Sequence, residues 1–317
     1  MSNLKKYDFT FNLSGLQDYT EQKTSTLISE TVLTGDFAQQ VVVVPNVKGV
    51  QELNVLSSHL QELDGGCGWN PANSGQTTTF TQKSITSVKK QYQESLCVDQ
   101  LEGYWYQTLL KPGQYYDSPN DIPFAEYLVN YKVEQVKEAI ELMLFQATSG
   151  STGFDGFLAL TGTGYTGNSG NVTIVPAASG TTSANIGDSI DLMLAAAPDY
   201  LAAARNGAIF MSWSNFRDYT VWVRNKNFFY LQTPGDGQAK ILHPGSNFEV
   251  IPVHGLTGSN RIFIGKKDNF FIGTDLVSDY SQFKMWYSLD NQETRMKCQF
   301  RIGAQTGVDE IISNGLA

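Results

Sequence analysis

Basic residues are scarce in this chain and never gather into a run. Its 317 residues hold 22 Lys and Arg against 31 Asp and Glu, a net charge of −9. The cations come at most in pairs such as Lys89-Lys90 and Lys266-Lys267. A sequence-reading nucleic-acid binder needs a basic face, and nothing in this pattern announces one. Cysteine is as sparse: Cys67, Cys97 and Cys298 lie far apart, without a Cys-x-x-Cys pair or a neighbouring histidine. That spacing excludes a disulfide framework and a zinc site, and fits a reducing compartment. The three histidines, His59, His243 and His254, fall in no metal-binding spacing. No stretch approaches the ~18 apolar residues of a membrane span, and Met1 to Lys6 leads into no apolar signal core. The chain is therefore expected to fold in a cytoplasm, without metal, cofactor or membrane.

Charge of either sign is low, 17% of residues, where about a quarter is usual. Hydrophobic residues make up 41% and aromatics 12%. Such a chain fills a large core and still has apolar surface to place against other proteins.

The first forty residues read as an arm, because Thr20 to Thr34 is Thr/Ser-rich with isolated Leu27, Ile28, Val32 and Leu33. Too little apolar surface is available there to offset the entropy of ordering. Val41 to Val44 reads as a buried strand closed by Pro45. Gln51 to Gln93 reads as one long hairpin with a tip at Asp64 to Gly75, dense in turn formers. Its return limb, Thr77 to Val88, has β-branched residues but few apolar ones. A ribbon with two polar faces has no core of its own and needs support from another molecule.

A long amphipathic helix follows, with Asp121 as cap, Pro123 in its first turn and Gly150 after its end, roughly 40 Å in all. Glu126, Asn130, Glu134, Lys137, Glu138 and Glu141 form its polar face, and Phe124, Leu128, Tyr131, Val136, Ala139, Ile140, Met143 and Ala147 its apolar one. Ser149 to Thr182 is Gly/Thr/Ser-rich around Phe157 to Leu160 and a strand-like Val172 to Val175. Ile186 to Ala204 is helical with a break at Pro198, Ala208 to Trp213 is a buried strand, and Ser214 caps a helix to about Lys226. Strands return at Phe248 to Val253, Arg261 to Ile264, Asn269 to Ile272, Phe283 to Tyr287 and Met296 to Ile302. The fold class is α+β with an α/β portion.

Enzyme chemistry finds little footing. Gly162-Thr163-Gly164-Tyr165-Thr166-Gly167 matches a dinucleotide fingerprint, but Asn168 to Asn171 prolongs the loop where a helix should open on the pyrophosphate. The acid pairs Asp188/Asp191 and Asp275/Asp279 read as helix-start carboxylates rather than an acid and a base. No Gly-x-Ser-x-Gly elbow or Walker loop is present.

The order of elements resembles the major capsid proteins of tailed bacteriophages, the HK97-like fold. The resemblance rests on Ser84 to Lys90 with Asp99 to Leu101, on Gly153 to Phe157, on Ala208 to Ser212, on Gly265 to Phe270, and on Phe283 to Met285 with Arg295 to Gly303. It implies an N-terminal arm (1–40), an extended-loop β-hairpin with adjoining peripheral elements (41–110), a peripheral domain with a long spine helix (111–153), an α/β axial domain (154–275) and closing strands shared by both domains (276–317). It further implies a non-enzymatic shell subunit whose hexamers and pentamers close into an icosahedral virion around double-stranded DNA, without reading its sequence. A portal and a separate scaffolding or decoration protein would be further partners. An encapsulin-like compartment with protein cargo is the nearest alternative, and a cofactor-binding α/β enzyme a more distant one. Trp69, Phe80, Ile85 and Tyr92 on the hairpin and its return are the residues expected to touch a neighbouring subunit, since large aromatic and apolar side chains anchor interfaces. The resemblance does not extend to the lysine–asparagine cross-linking of some relatives, because Lys83, Lys89 and Lys90 lie away from the hairpin tip.

Overall fold

The computed structural model describes residues 37–58, 78–97, 124–162, 172–175, 181–226, 241–275, 282–288, 290–291, 293–307 and 310–314. Along the chain come β1 (Val42–Val44), β2 (Val50–Ser58), β3 (Thr78–Thr86), β4 (Val88–Cys97), α1 (Phe124–Gln146), α2 (Ser149–Thr152), α3 (Phe157–Leu160) and β5 (Val172–Ile174). Then follow α4 (Ile186–Ala195), α5 (Asp199–Ala202), β6 (Gly207–Ser212), α6 (Trp213–Asn225), β7 (Ile241–Leu242) and β8 (Glu249–Val253). The last are β9 (Phe263–Lys266), β10 (Phe270–Thr274), β11 (Gln282–Ser288), β12 (Glu293–Thr306) and β13 (Ile311–Ser313).

The continuous apolar strands form a six-stranded mixed sheet in the order β5-β13-β9-β6-β8-β7. Such runs belong in a sheet covered on both faces, and β6 is buried along its whole length. Ala208 and Phe210 enter one core, while Ile209 and Met211 enter a second beneath α4 and α6. Ile251 and Val253 against Val250, and Ile311 against Ile312, divide in the same way. Pro198 caps α5 and separates it from α4, in keeping with the break in the helical pattern. The cap of α6 is Ser212, whose hydroxyl accepts from the Asn215 amide at 3.2 Å, two residues earlier than Ser214.

The alternating strand β12 organises the second, five-stranded sheet. Ile302 pairs with Val88 of β4 on one edge and with Thr274 of β10 on the other. β11 lies along the first half of β12, and β1 runs parallel to β10. Met296, Cys298, Phe300, Ile302 and Ala304 face the larger core with α1 and α3. β1 is only half-buried, so Val41 to Val44 makes an edge strand and not a fully buried one.

The long helix α1 has 23 residues, about 35 Å at 1.5 Å each. It ends at Gln146 rather than at Gly150. The left-handed residue is Gly153, after the short α2. Glu141, expected on the polar face, is buried and accepts the backbone N–H groups of His254 (2.9 Å) and Gly255 (3.3 Å). Tyr131, expected on the apolar face, is exposed.

The end of the expected arm is also built in. Phe37 is 1% exposed, and its ring lies 4.7 Å from Phe145, 5.3 Å from Phe157 and Phe210, and 6.4 Å from Phe270. One aromatic ring thus joins α1, α3 and both sheets. Phe37→Ala is expected to destabilise the subunit by about 3–5 kcal/mol, as for other buried aromatics, through the cavity left among four rings. An unchanged urea midpoint would show that the Phe37 segment is not part of the core.

Candidate assembly surface

A two-stranded ribbon leaves the body between Gly49 and Ser87. β2 and β3 pair only with each other, from Val50↔Thr86 to Ser58↔Thr78, in a sheet of their own. The hairpin is expected to reach Gln93, but the ribbon ends at Thr86. Gln91 and Gln93 belong to β4, paired to Gln299 and Lys297 of β12.

Among the described residues the ribbon is held at its base. Ser87 donates its amide to the Gly49 carbonyl at 2.7 Å and its hydroxyl to the Val47 carbonyl at 2.6 Å. The Gly49 amide in turn reaches the Ser87 hydroxyl at 3.1 Å. Gln305 Nε2 donates to the Ser84 carbonyl at 2.8 Å, and Lys83 Nζ to the Gly307 carbonyl at 2.5 Å. Burial pushes the Lys83 ammonium below the usual lysine range. The seat is a pair of facing glycines, Gly273 and Gly303, which are cross-strand partners in β10 and β12. A Cβ on Gly303 would collide with the Thr86 carbonyl, and one on Gly273 would lie 2.9 Å from Ile85 Cδ1. No periodicity picks out these residues, although an isolated Gly inside a strand pattern signals close backbone approach.

The expected contact residues separate accordingly. Ile85 is fully buried over Gly273 and Val47 within its own chain. It anchors the ribbon base and offers nothing to a neighbour. Tyr92 is half-buried on the core face, its ring 5.7 Å from Phe300. Burial, with the Cys298 thiol beside it, raises its phenol above the usual value. Phe80 pairs with Leu56 through the backbone, its side chain being outside the described set. Trp69 and the tip lie outside the described residues altogether. Val50, at the ribbon base, is 68% exposed.

The chain does gather one cluster that sequence spacing does not suggest. His243, 2% exposed, makes 2.9 Å hydrogen bonds through Nδ1 to the Tyr219 hydroxyl and through Nε2 to Asp191. Burial first, and the Asp191 charge second, hold the Tyr219 phenol well above its usual range, so it stays protonated. With both ring nitrogens engaged, the histidine ties α4, α6 and the β7–β8 turn together. Asp191 is thus a histidine partner, while Asp188 sits in the first turn of α4. Asp275 is buried 3.9 Å from Arg301, and Asp279 lies outside the described residues. So does the glycine loop beyond Gly162. Among the described residues no group of three His, Cys, Asp or Glu side chains is placed to hold a metal ion, and no helix is long and apolar enough to cross a membrane.

No protein-family model matches the sequence, and no curated protein does. Solved structures do match it over nearly its whole length. The capsid of a native GTA particle superposes with a TM-score of 0.52 at 14% identity, covering 90% of this chain and 89% of that one. The capsid of an empty GTA particle gives 0.51 at 12% identity, over 90% and 96%. A chain of the satellite phage P4 procapsid gives 0.50 at 11% identity, over 93% and 99%. The chain has the phage-capsid fold. Identity of 9–14% leaves the likeness to backbone architecture rather than to shared side chains.

Proposed function

We propose that this chain is the major capsid protein of a tailed phage, forming hexamers and pentamers that close into an icosahedral shell around double-stranded DNA. The observation that carries this reading is the ribbon, whose contacts with its own subunit among the described residues lie at its base, in a chain with the capsid fold. A paired ribbon of two nine-residue strands has no reason to persist in water unless another molecule covers it. The subunit's role is structural. The shell would contain the DNA without reading it, with a portal and a separate scaffolding or decoration protein completing the particle in the virion.

Electron microscopy and sedimentation of the purified protein test this directly. Closed shells, with nuclease-protected DNA in particles from an infected host, are the expected result. A protein that remains monomeric under all assembly conditions, or shells that hold cargo protein instead of DNA, would overturn it.

A further inference from the structure

Four strands of the six-stranded sheet, β5, β13, β6 and β8, end at one edge. β6 runs parallel to β8 and β5 to β13, while β9 is antiparallel to both β6 and β13. The carboxyl edge of its strands is where an open α/β sheet holds ligands. The helix α6 starts there, directly after β6, with Ser212 as its cap. Its first turn holds no Asp or Glu, so no carboxylate of the helix meets the positive end of its own dipole. The first amides of a helix, here those of Trp213 and Ser214, have no acceptor within it. Trp213, 47% exposed, and the exposed Ser214 open this turn to solvent.

A buried side chain adds to the same turn. Asn215 is 2% exposed, and its Oδ1 accepts the Thr181 hydroxyl at 3.0 Å. Its Nδ2 is buried and has no acceptor among the described residues. A buried donor without a partner costs free energy that the fold recovers only when an acceptor arrives. Arg261 stands at the same edge, since the pairing of Phe210 with Phe263, carried two residues on, brings it level with Ser212. It is 7% exposed, and its Nη1 donates to the Thr161 carbonyl at 3.2 Å and the Ser313 hydroxyl at 3.4 Å. Both acceptors are neutral, and its Nε is buried without one. Burial alone pushes the guanidinium below the usual arginine range, and among the described residues no carboxylate pairs with it. The unmet groups at this edge are donors, and the buried charge among them is positive. Water brings as many donors as acceptors and leaves that charge unbalanced. An oxyanion brings acceptors only, together with the missing negative charge.

We propose that the N-terminus of α6 is a phosphate site, where the Trp213 and Ser214 amides and Asn215 Nδ2 hold the anion and Arg261 supplies the field behind it. A phosphate group offers several acceptor oxygens to the donors of one turn, and its charge suits a helix N-terminus. Binding satisfies Asn215 and adds stability to the sheet edge from which α6 departs. The site is independent of the shell reading above.

The test measures binding of inorganic phosphate to the purified full chain by titration calorimetry. Melting temperature is read alongside, in phosphate against chloride at equal ionic strength, for wild type and Asn215→Asp. Asp keeps an oxygen for the Thr181 hydroxyl but replaces the Nδ2 donor with a negative oxygen, which supplies the anion from within and repels phosphate. Wild type is expected to bind phosphate at a single site and to melt roughly 5 °C higher at about a hundredfold excess over Kd. Asn215→Asp is expected to melt at or above wild type in chloride, to bind phosphate at least about tenfold more weakly and to gain little from it. A wild-type chain with neither heat of binding nor a rise in melting temperature overturns the proposal. So does an equal rise in both proteins, which is the general effect of an excluded salt. An Asn215→Asp chain that melts well below wild type or fails to fold overturns it too, because a site built for an anion accepts that charge. Competition by a short DNA duplex assigns the phosphate group to nucleic acid, and lack of competition assigns it to free phosphate; both results uphold the site.

Discussion

Deleting Gly66 to Gly75 is expected to leave a subunit that folds and melts normally but gives few or fragile shells. Among the described residues neither hydrophobic core contains one between Val50 and Ser84, and a tip rich in Gly, Asn and Ser has little apolar surface to give to a core. Surface changes of this kind stay within about 0.5 kcal/mol of wild-type stability. The ribbon base is held by Ser87, Gln305 and Lys83, all outside the deletion. Trp69→Ala should show the same division with a single side chain. A large aromatic among Gly, Asn and Pro has little local to pack on, while aromatic anchors at interfaces carry about 2–4 kcal/mol each on truncation. Repeated at every subunit contact, that loss lowers shell melting far more than subunit melting. Calorimetry of dissociated subunits and intact shells separates the two. If the subunit unfolds while the shell survives, Trp69 folds back on its own chain and the ribbon belongs to the subunit core.

What is legible in the sequence follows the strength of local patterns. Ala208 to Ser212 is apolar almost without interruption because both faces of β6 are covered, and its strand is plain. The alternation in Met296 to Ile302 reveals one buried face of β12. Its other face is equally written in Arg295, Lys297 and Arg301, but becomes a surface only when β4 and β11 bring Lys89 and Lys284 alongside. Register between strands far apart in sequence is not a local property. Phe37 is hidden for the same reason: a lone Phe after a polar stretch gives no periodic signal, and its four aromatic partners come from as far as Phe270. Ile85 reads as an outward anchor because the return limb has so few apolar residues. Its pocket is lined by Gly273 and Val47, and a glycine contributes no apolar pattern at all. Helical period puts Glu141 on the polar face, yet its carboxylate turns to cap backbone amides at His254 and Gly255.

The second large effect concerns the paired glycines. Gly303→Ala is expected to destabilise the subunit by about 3 kcal/mol, the upper end for overpacking in a tight site. The obstruction is backbone, not a side chain that can swing away: the new methyl meets the Thr86 carbonyl, with the Ser87 Cα 3.1 Å from it. Relief requires lifting the ribbon base, and that base is tied by the Ser87 bonds to Val47 and Gly49 and by Gln305 to Ser84. The strain therefore falls on the hinge where the ribbon leaves the body. Alongside a lower urea midpoint, limited proteolysis should cut the variant faster between Val50 and Thr86. Gly49→Ala is the contrasting control. Gly49 has φ +110° but nothing within 4 Å of where an added methyl would stand, so only backbone strain of about 1–2 kcal/mol is expected, without crowding at the sheet. Equal stability of Gly303→Ala and wild type would mean that the ribbon does not press on β12, and the hinge would then lie elsewhere than at the paired glycines.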